Sequence, residues 1–239
     1  MKVLLIKPNN LADHIQPSLG HGYLATQIRA NHDVVIHDCI KDNTSIEQIN
    51  KIVARHNPDI IGIQCYTFDT PKVYRMFETI KKAFPDKITV VGGAHISSIP
   101  IEFFNQFQPY VDYAFNSEAE IGFSKFLAAL ERGDKTFPGI EGLIWRKNGQ
   151  MVSNLPAFVQ DLDKLGFPAW DLMSPASYVS VGMTRSELLA LKRQAFLSFH
   201  FNPKIFLTNL LAIKSFRHFK FFLRRFYHWI LMRPAATTA

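Results

Sequence analysis

The residue types able to do chemistry fall in short segments that follow apolar runs. Pro17-Ser18-Leu19-Gly20-His21-Gly22 sets small residues before a helix start, where free backbone amides hold an amide or phosphate group. Gly92-Gly93 removes two side chains where a ligand could touch backbone, although the same pair also suits a tight strand-to-loop bend. Tyr66 to Thr70 and Phe115 to Glu120 are two further loops of this kind. Gly20-x-Gly22 is followed by Ala25, so the dinucleotide fingerprint is absent. His14, His21 and His95 are metal-ligand types, but a hydrogen-bonded or surface histidine is the commoner case. Glu118 and Glu120 make a poor catalytic carboxylate pair, with no nucleophile or electrophile nearby, and suit capping of the helix that follows. Cys39 and Cys65 stand 26 positions apart, a spacing that suits neither a disulfide scaffold nor a zinc site. They read as inert packing residues of a protein in a reducing cytosol.

Positioning these segments falls to an alternation of β-rich runs with amphipathic stretches, the pattern of βαβ units feeding a parallel sheet. Strands are predicted at Val3 to Ile6, Val34 to His37, Ile60 to Cys65, Ile88 to Val91 and Val111 to Ala114. Helices are predicted at Leu19 to Asn31, Ser45 to His56, Pro71 to Phe84, Ile101 to Gln106 and Ala119 to Arg132, with Ser45 and Gln48 forming a capping box. The third and fourth strands are almost continuously apolar, as when helices cover both faces of a sheet. Ligands of such sheets bind outside the carboxyl ends of the strands, which is where the glycine- and histidine-bearing loops lie. Beyond them, Asn148-Gly149 supplies the positive-φ pair of a type I′ hairpin turn. Pro156, Pro168 and Pro175 then mark an extended connector running over the domain surface. The expected organisation is a Rossmann-like domain over 1–137, a hairpin and extended linker over 138–183, and a basic helical tail over 184–239.

Taken in order, KPN, PSLGHGYLA, IIGIQCYT, VVGGAHISSIP, FNSEAE, GIEGLIWRKNGQMV and DLDKLGFPAWDLM resemble the N-terminal cobalamin-binding domain of B12-binding radical SAM proteins, over residues 1–175. The resemblance implies a flavodoxin-like, doubly wound α/β domain with a five-stranded parallel sheet in the order 2-1-3-4-5. It also implies that the corrin of cobalamin lies over the carboxyl ends of the strands, with its nucleotide tail in a crevice beside the sheet. On that reading Pro17, Leu19, Gly20 and Gly22 line one side, Gln64, Tyr66 and Thr67 a second, Gly92, Gly93 and His95 a third, and Glu118 a fourth.

Three departures qualify it. Histidine-ligating cobalamin domains use Asp-x-His-x-x-Gly, whereas Asp13 and His14 are adjacent here and Pro17 stands third after His14. Members of the radical SAM group often lack that motif as well, so its absence bears on histidine ligation more than on cobalamin binding. Asn116-Ser117-Glu118-Ala119-Glu120 replaces the usual Gly-Glu-x-Glu. The family's barrel, with its Cys-x-x-x-Cys-x-x-Cys for a [4Fe–4S] cluster and S-adenosylmethionine, has no counterpart after the connector, so neither group is expected. Instead MSPASYVS leads into a stretch resembling the family's helical C-terminal end, the pattern of an internal loss near Tyr178 to Thr184.

Charge separates the two parts of the 239-residue chain. Residues 1–183 hold 17 Lys/Arg and 19 Asp/Glu, a net of −2, whereas the last 56 hold 10 against the single acid Glu187, a net of +9. Helix is expected from Thr184 to Gln194, with a break at Phe199 to Asn202. Residues 205–232 interleave aromatic and cationic side chains and suit an anionic membrane surface; packing against an absent barrel explains them equally well. Nucleic acid is not an expected partner. Lys7 and Pro8 cut the first apolar run short of a secretory core, and no run approaches the ~18–20 apolar residues of a spanning helix. The sequence therefore predicts a cytoplasmic cobalamin-binding protein, associated at most with the inner membrane face and without radical chemistry of its own. The alternatives are the cofactor-binding half of a split radical SAM methyltransferase or cyclase-like enzyme, and a flavodoxin-like interaction module without cofactor.

Overall fold

In the computed structural model, residues 1–9, 16–175, 178, 184–200 and 220 are described. The strand β1 (Lys2–Lys7) lies second from one edge of a seven-stranded sheet, between the edge strand β2 (Asp33–Asp38) and β3 (Ile60–Gln64), followed by β4 (Ile88–Gly92) and β5 (Tyr113–Phe115). These five run parallel in the order 2-1-3-4-5. The hairpin of β6 (Leu143–Lys147) and β7 (Gln150–Ser153) adds antiparallel to the free edge of β5, so the sheet has seven strands rather than five. Its turn has positive φ at both Asn148 and Gly149, as the sequence requires.

Side chains alternate across a strand, so a central strand covered on both faces must be apolar at every position. In β1, Leu4 and Ile6 enter one core with Ile61, Ile63 and Val91, together with residues of α2 (Ile49–His56), α3 (Thr70–Ala83) and α5 (Pro100–Gln106). Val3 and Leu5 enter the opposite core with Ile60 and Val90, packed by α1 (Leu19–Ile28) and α6 (Glu120–Glu131). With α7 (Trp170–Met173) lying over β2, α1 and α6 are the long helices on that second face among the described residues, and a gap remains between them over β3 and β4.

Several element boundaries differ from expectation for local reasons. The first turn before α2 is 3₁₀, Ile46–Gln48, with the Ser45 N–H donating to Gln48 Oε1 at 2.9 Å. The expected loop Gly92–Pro100 contains a short helix, α4 (Ala94–Ser98), and Pro100 then starts α5, where its missing N–H is harmless. The connector is not free of the body. It packs along α1, where Thr26 Oγ1 donates to Phe167 O at 2.7 Å, Gln27 Nε2 donates to Leu165 O at 2.8 Å, and Arg29 pairs bidentately with Asp171 at 2.8 and 2.7 Å. The short helix α7 (Trp170–Met173) closes it.

The chain divides into two compact units, Met1–Tyr178 and Val179–Ala239. Within the second, α8 (Arg185–His200) runs six residues past the expected Gln194. Its start is capped by Thr184, whose N–H donates to Glu187 Oε2 at 2.7 Å while its Oγ1 accepts the Glu187 N–H at 3.3 Å. The cationic aromatic stretch 205–232, apart from Lys220, and the Asp13–His14 pair lie outside the described residues. No described helix is long and apolar enough to cross a membrane.

Candidate functional site

The gap between α1 and α6 is a cleft of about 450 Å³ opening at the carboxyl ends of the strands. Its floor follows from strand alternation. Leu5 on β1, Gly62 and Gln64 on β3, and Val90 and Gly92 on β4 all face α1 and α6, and the register sets Gly62 beside Val90 and Gln64 beside Gly92. Glycine at 62 and 92 lowers that floor by two side chains. A Cβ built at Gly92, or at Gly20 on the α1 wall, meets no atom within 4 Å, so a side chain at either would take up open space. Gly93 does a different job. Its φ is +111° and a Cβ there would lie 2.7 Å from Cys65 O, so glycine is needed to turn the chain from β4 into α4.

Phe115, Phe123, Leu24 and Ala119 line the walls, with Gln64, Ser97, Ser117 and Glu118 as polar neighbours. His21 Nδ1 and Glu120 Oε2 are buried without a partner among the described residues. Burial pushes the His21 imidazole down to about 4, with Asp38 opposing and Lys7 reinforcing the shift. It also pushes the Glu120 carboxyl up, with Glu118 adding to the effect and backbone amides of Glu120 and Ala119 opposing it. A largely apolar slot edged by a few polar side chains is suited to a ligand that has polar groups within a largely apolar body.

Around the mouth, a chain of hydrogen bonds links the strand-end loops. Ser18 Oγ donates to Gln64 Oε1 at 3.2 Å, and Gln64 Nε2 donates to Tyr66 Oη at 3.0 Å. Tyr66 stacks on the exposed Phe68 with ring centroids 6.0 Å apart. Thr67 Oγ1 and His95 Nδ1 share a bond of 3.0 Å, while the Ser117 N–H donates to Ser97 Oγ at 2.9 Å. Below this rim, at the ends of β1 and β2, Lys7 and Asp38 form a buried ion pair at 3.1 Å. The Lys7 ammonium also donates to Gln16 O at 2.6 Å, and Tyr178 Oη donates to Asp38 Oδ2 at 2.7 Å. That cluster ties the loop before α1 and the end of the connector to the strand ends.

Of the residues expected in the site, Gly20, Gln64, Gly92, Gly93 and Glu118 line the cleft; Tyr66, Thr67 and His95 do not, Tyr66 bonding to Gln64 and Thr67 to His95, whose ring meets Phe103 edge-on at 4.8 Å. Pro17 is half-buried and Leu19 is exposed, and neither lines the cleft. Gly22 is buried against the connector, where a Cβ would lie 2.6 Å from Met173 Cε and 2.8 Å from Pro168 Cβ; its smallness serves that packing. The Glu118 carboxylate lines the cleft but accepts the Val159 N–H at 2.7 Å, a contact with the connector. His21, Glu120 and Phe158 are cleft residues that the sequence reading left out of the site. For His21 a signal existed: it stands three residues before Leu24, a spacing that shares one helix face. Burial pushes the Cys39 and Cys65 thiols up to about 12, and both are free. No group of three His, Cys, Asp or Glu side chains among the described residues could hold a metal ion.

A model of the B12 binding domain matches residues 10–127. An uncharacterized methyltransferase of Pyrococcus horikoshii is 30% identical over 190 residues, covering 77% of this chain and 41% of that protein. The anaerobic magnesium-protoporphyrin IX monomethyl ester cyclase of Rubrivivax gelatinosus is 25% identical over 198 residues, covering 77% and 35%. The chain thus spans well under half the length of both curated relatives. Among solved structures, the cobalamin-dependent S-adenosylmethionine radical enzyme OxsB, with aqua-cobalamin and S-adenosylmethionine bound, superposes with a TM-score of 0.65 at 20% identity. That match covers 74% of this chain and 25% of OxsB, and it shows a shared fold.

Proposed function

We propose that this chain, a B12-binding domain over residues 10–127 related to cobalamin-dependent radical SAM methyltransferases, holds cobalamin at the cleft between α1 and α6. The observation that carries this reading is the cleft itself: an apolar slot at the strand ends, bared by Gly62 and Gly92 and edged by a few polar side chains. Gly20, Gly92 and Gly93 give the cofactor backbone to lie against. Gln64, Tyr66, Thr67 and His95 would hold the corrin above the strand ends, and His21 and Glu120 would meet polar groups of the nucleotide tail once their side chains turn outward. Phe115 and Phe123 keep water from the tail. When bound, cobalamin supplies group-transfer chemistry at its cobalt.

Titration of the purified chain with hydroxocobalamin, followed by visible absorption, tests this reading. A saturable spectral change is expected, lost in Gly92→Leu while that variant keeps its fold by circular dichroism. Equal uptake by Gly92→Leu would remove the cleft as the site, and no uptake by the parent chain would leave a flavodoxin-like scaffold without cofactor.

The lengths of the relatives favour a second reading, in which the chain is the cofactor-binding half of an enzyme whose radical SAM barrel is supplied separately. The sequence holds only two cysteines, so a [4Fe–4S] cluster and S-adenosylmethionine would belong to that partner. Co-purification with a barrel protein, and methyl transfer only by the mixture, would support it. The free cysteines agree with a reducing, cytosolic setting, and the excess of cations after Met183 agrees with attraction of the tail to anionic lipid. Flotation with anionic against neutral vesicles tests that attraction; indifference to lipid charge would end it.

A further inference from the structure

The stretch Leu155–Leu165 bridges the hairpin and α1. At its start the Gly142 N–H donates to Leu155 O at 3.0 Å, and at its end Gln27 Nε2 donates to Leu165 O at 2.8 Å. Between these anchors Glu118, just before α6, accepts the Val159 N–H at 2.7 Å. The residue before Val159 is Phe158, which lines the cleft although it is 63% exposed. Its neighbours Leu155 and Leu162, 87% and 65% exposed, do not line it. The aromatic ring is therefore laid at the cleft mouth by a carboxylate of the opposite wall, with much of its apolar surface still uncovered. A flat, partly apolar body filling the cleft would cover that surface, and an aromatic face also favours stacking.

Building on the cobalamin reading, we propose that Phe158, positioned by Glu118, forms the outer wall over the nucleotide tail and makes the chain select corrinoids that carry the tail over those that lack it. Glu118 acts here through Phe158. Its carboxylate is already engaged by the connector, which explains why a residue expected to touch the cofactor is turned to the chain's own backbone.

Release of bound corrinoid into excess competitor, followed by absorbance, tests the proposal on the full chain with two probes, cobalamin and its tailless analogue cobinamide. Phe158→Ala and Glu118→Ala should each speed cobalamin release about tenfold, the scale of one buried aromatic contact. The double variant should be no faster than the faster single one, because both act through one wall. Glu118→Gln keeps an oxygen acceptor and should restore most of the slow release. Leu162→Ala, on the same stretch but off the cleft, should behave as the parent chain does. Cobinamide release should change far less, so the ratio between the two probes falls. Parent-like cobalamin release by Phe158→Ala, or equal acceleration of both probes, would overturn the selection. Failure of the parent chain to bind either probe would overturn the cobalamin reading and this proposal together.

Discussion

His21 links burial to acid sensitivity. The unfolded imidazole takes its proton near 6.5 and the folded one only near 4, so between these values the unfolded chain binds more protons. The stability that follows from keeping His21 neutral is fully present above about pH 6.5 and is lost as pH falls toward 4, a change of about 3 kcal/mol. Urea unfolding at pH 7 and pH 4.5 should show this loss, and His21→Leu should shrink it by a comparable amount. His32, His37 and His56 are also pushed down by burial and contribute the slope that remains. An identical pH dependence in the variant would contradict the buried position. The glycines behaved differently as signals. Gly92 and Gly93 were legible as a place where backbone is bared, but their division into one cleft residue and one turn residue depends on φ and on the nearness of Cys65 O, which a sequence does not encode. Phe158 was illegible because no local pattern says which exposed aromatic stands over a cleft.

At the scale of elements, the parallel strands were readable because burial on both faces makes β1, β3 and β4 almost continuously apolar. The hairpin was readable as a hairpin, since Asn148-Gly149 dictates its turn, yet its pairing partner was not: alternation gives a strand's faces and leaves open which edge it joins. Addition to β5 covers an edge that would otherwise be open for pairing with another chain. The connector was read from its prolines as an extended segment over the domain surface, and the bonds from Thr26, Gln27 and Arg29 on α1 that fasten it there have no sequence signature. Gly22→Ala should loosen that fastening, because its Cβ would press on the Pro168 ring as well as on the movable Met173 end. Overpacking of this kind destabilises by about 1–3 kcal/mol. Limited proteolysis should then cut within 155–175 faster than in the parent chain; an unchanged rate would mean that the connector owes nothing to this contact.

At the scale of the molecule, the Met1–Tyr178 unit is a wound sheet whose second face is under-covered, and the proposed function rests on that shortage. Two helices over the α1 and α6 face leave a slot at the strand ends, and the seven-stranded sheet holds its walls apart. What is proposed for this chain is cobalamin binding at the cleft, whatever accompanies such a domain in its longer relatives. Cobalt retention tests that claim most directly. After anaerobic incubation with hydroxocobalamin and gel filtration, the parent chain should carry about one cobalt per molecule and Gly92→Leu almost none, as one cleft of this kind requires. A parent chain that emerges free of cobalt, or a Gly92→Leu variant that retains as much, would contradict the account.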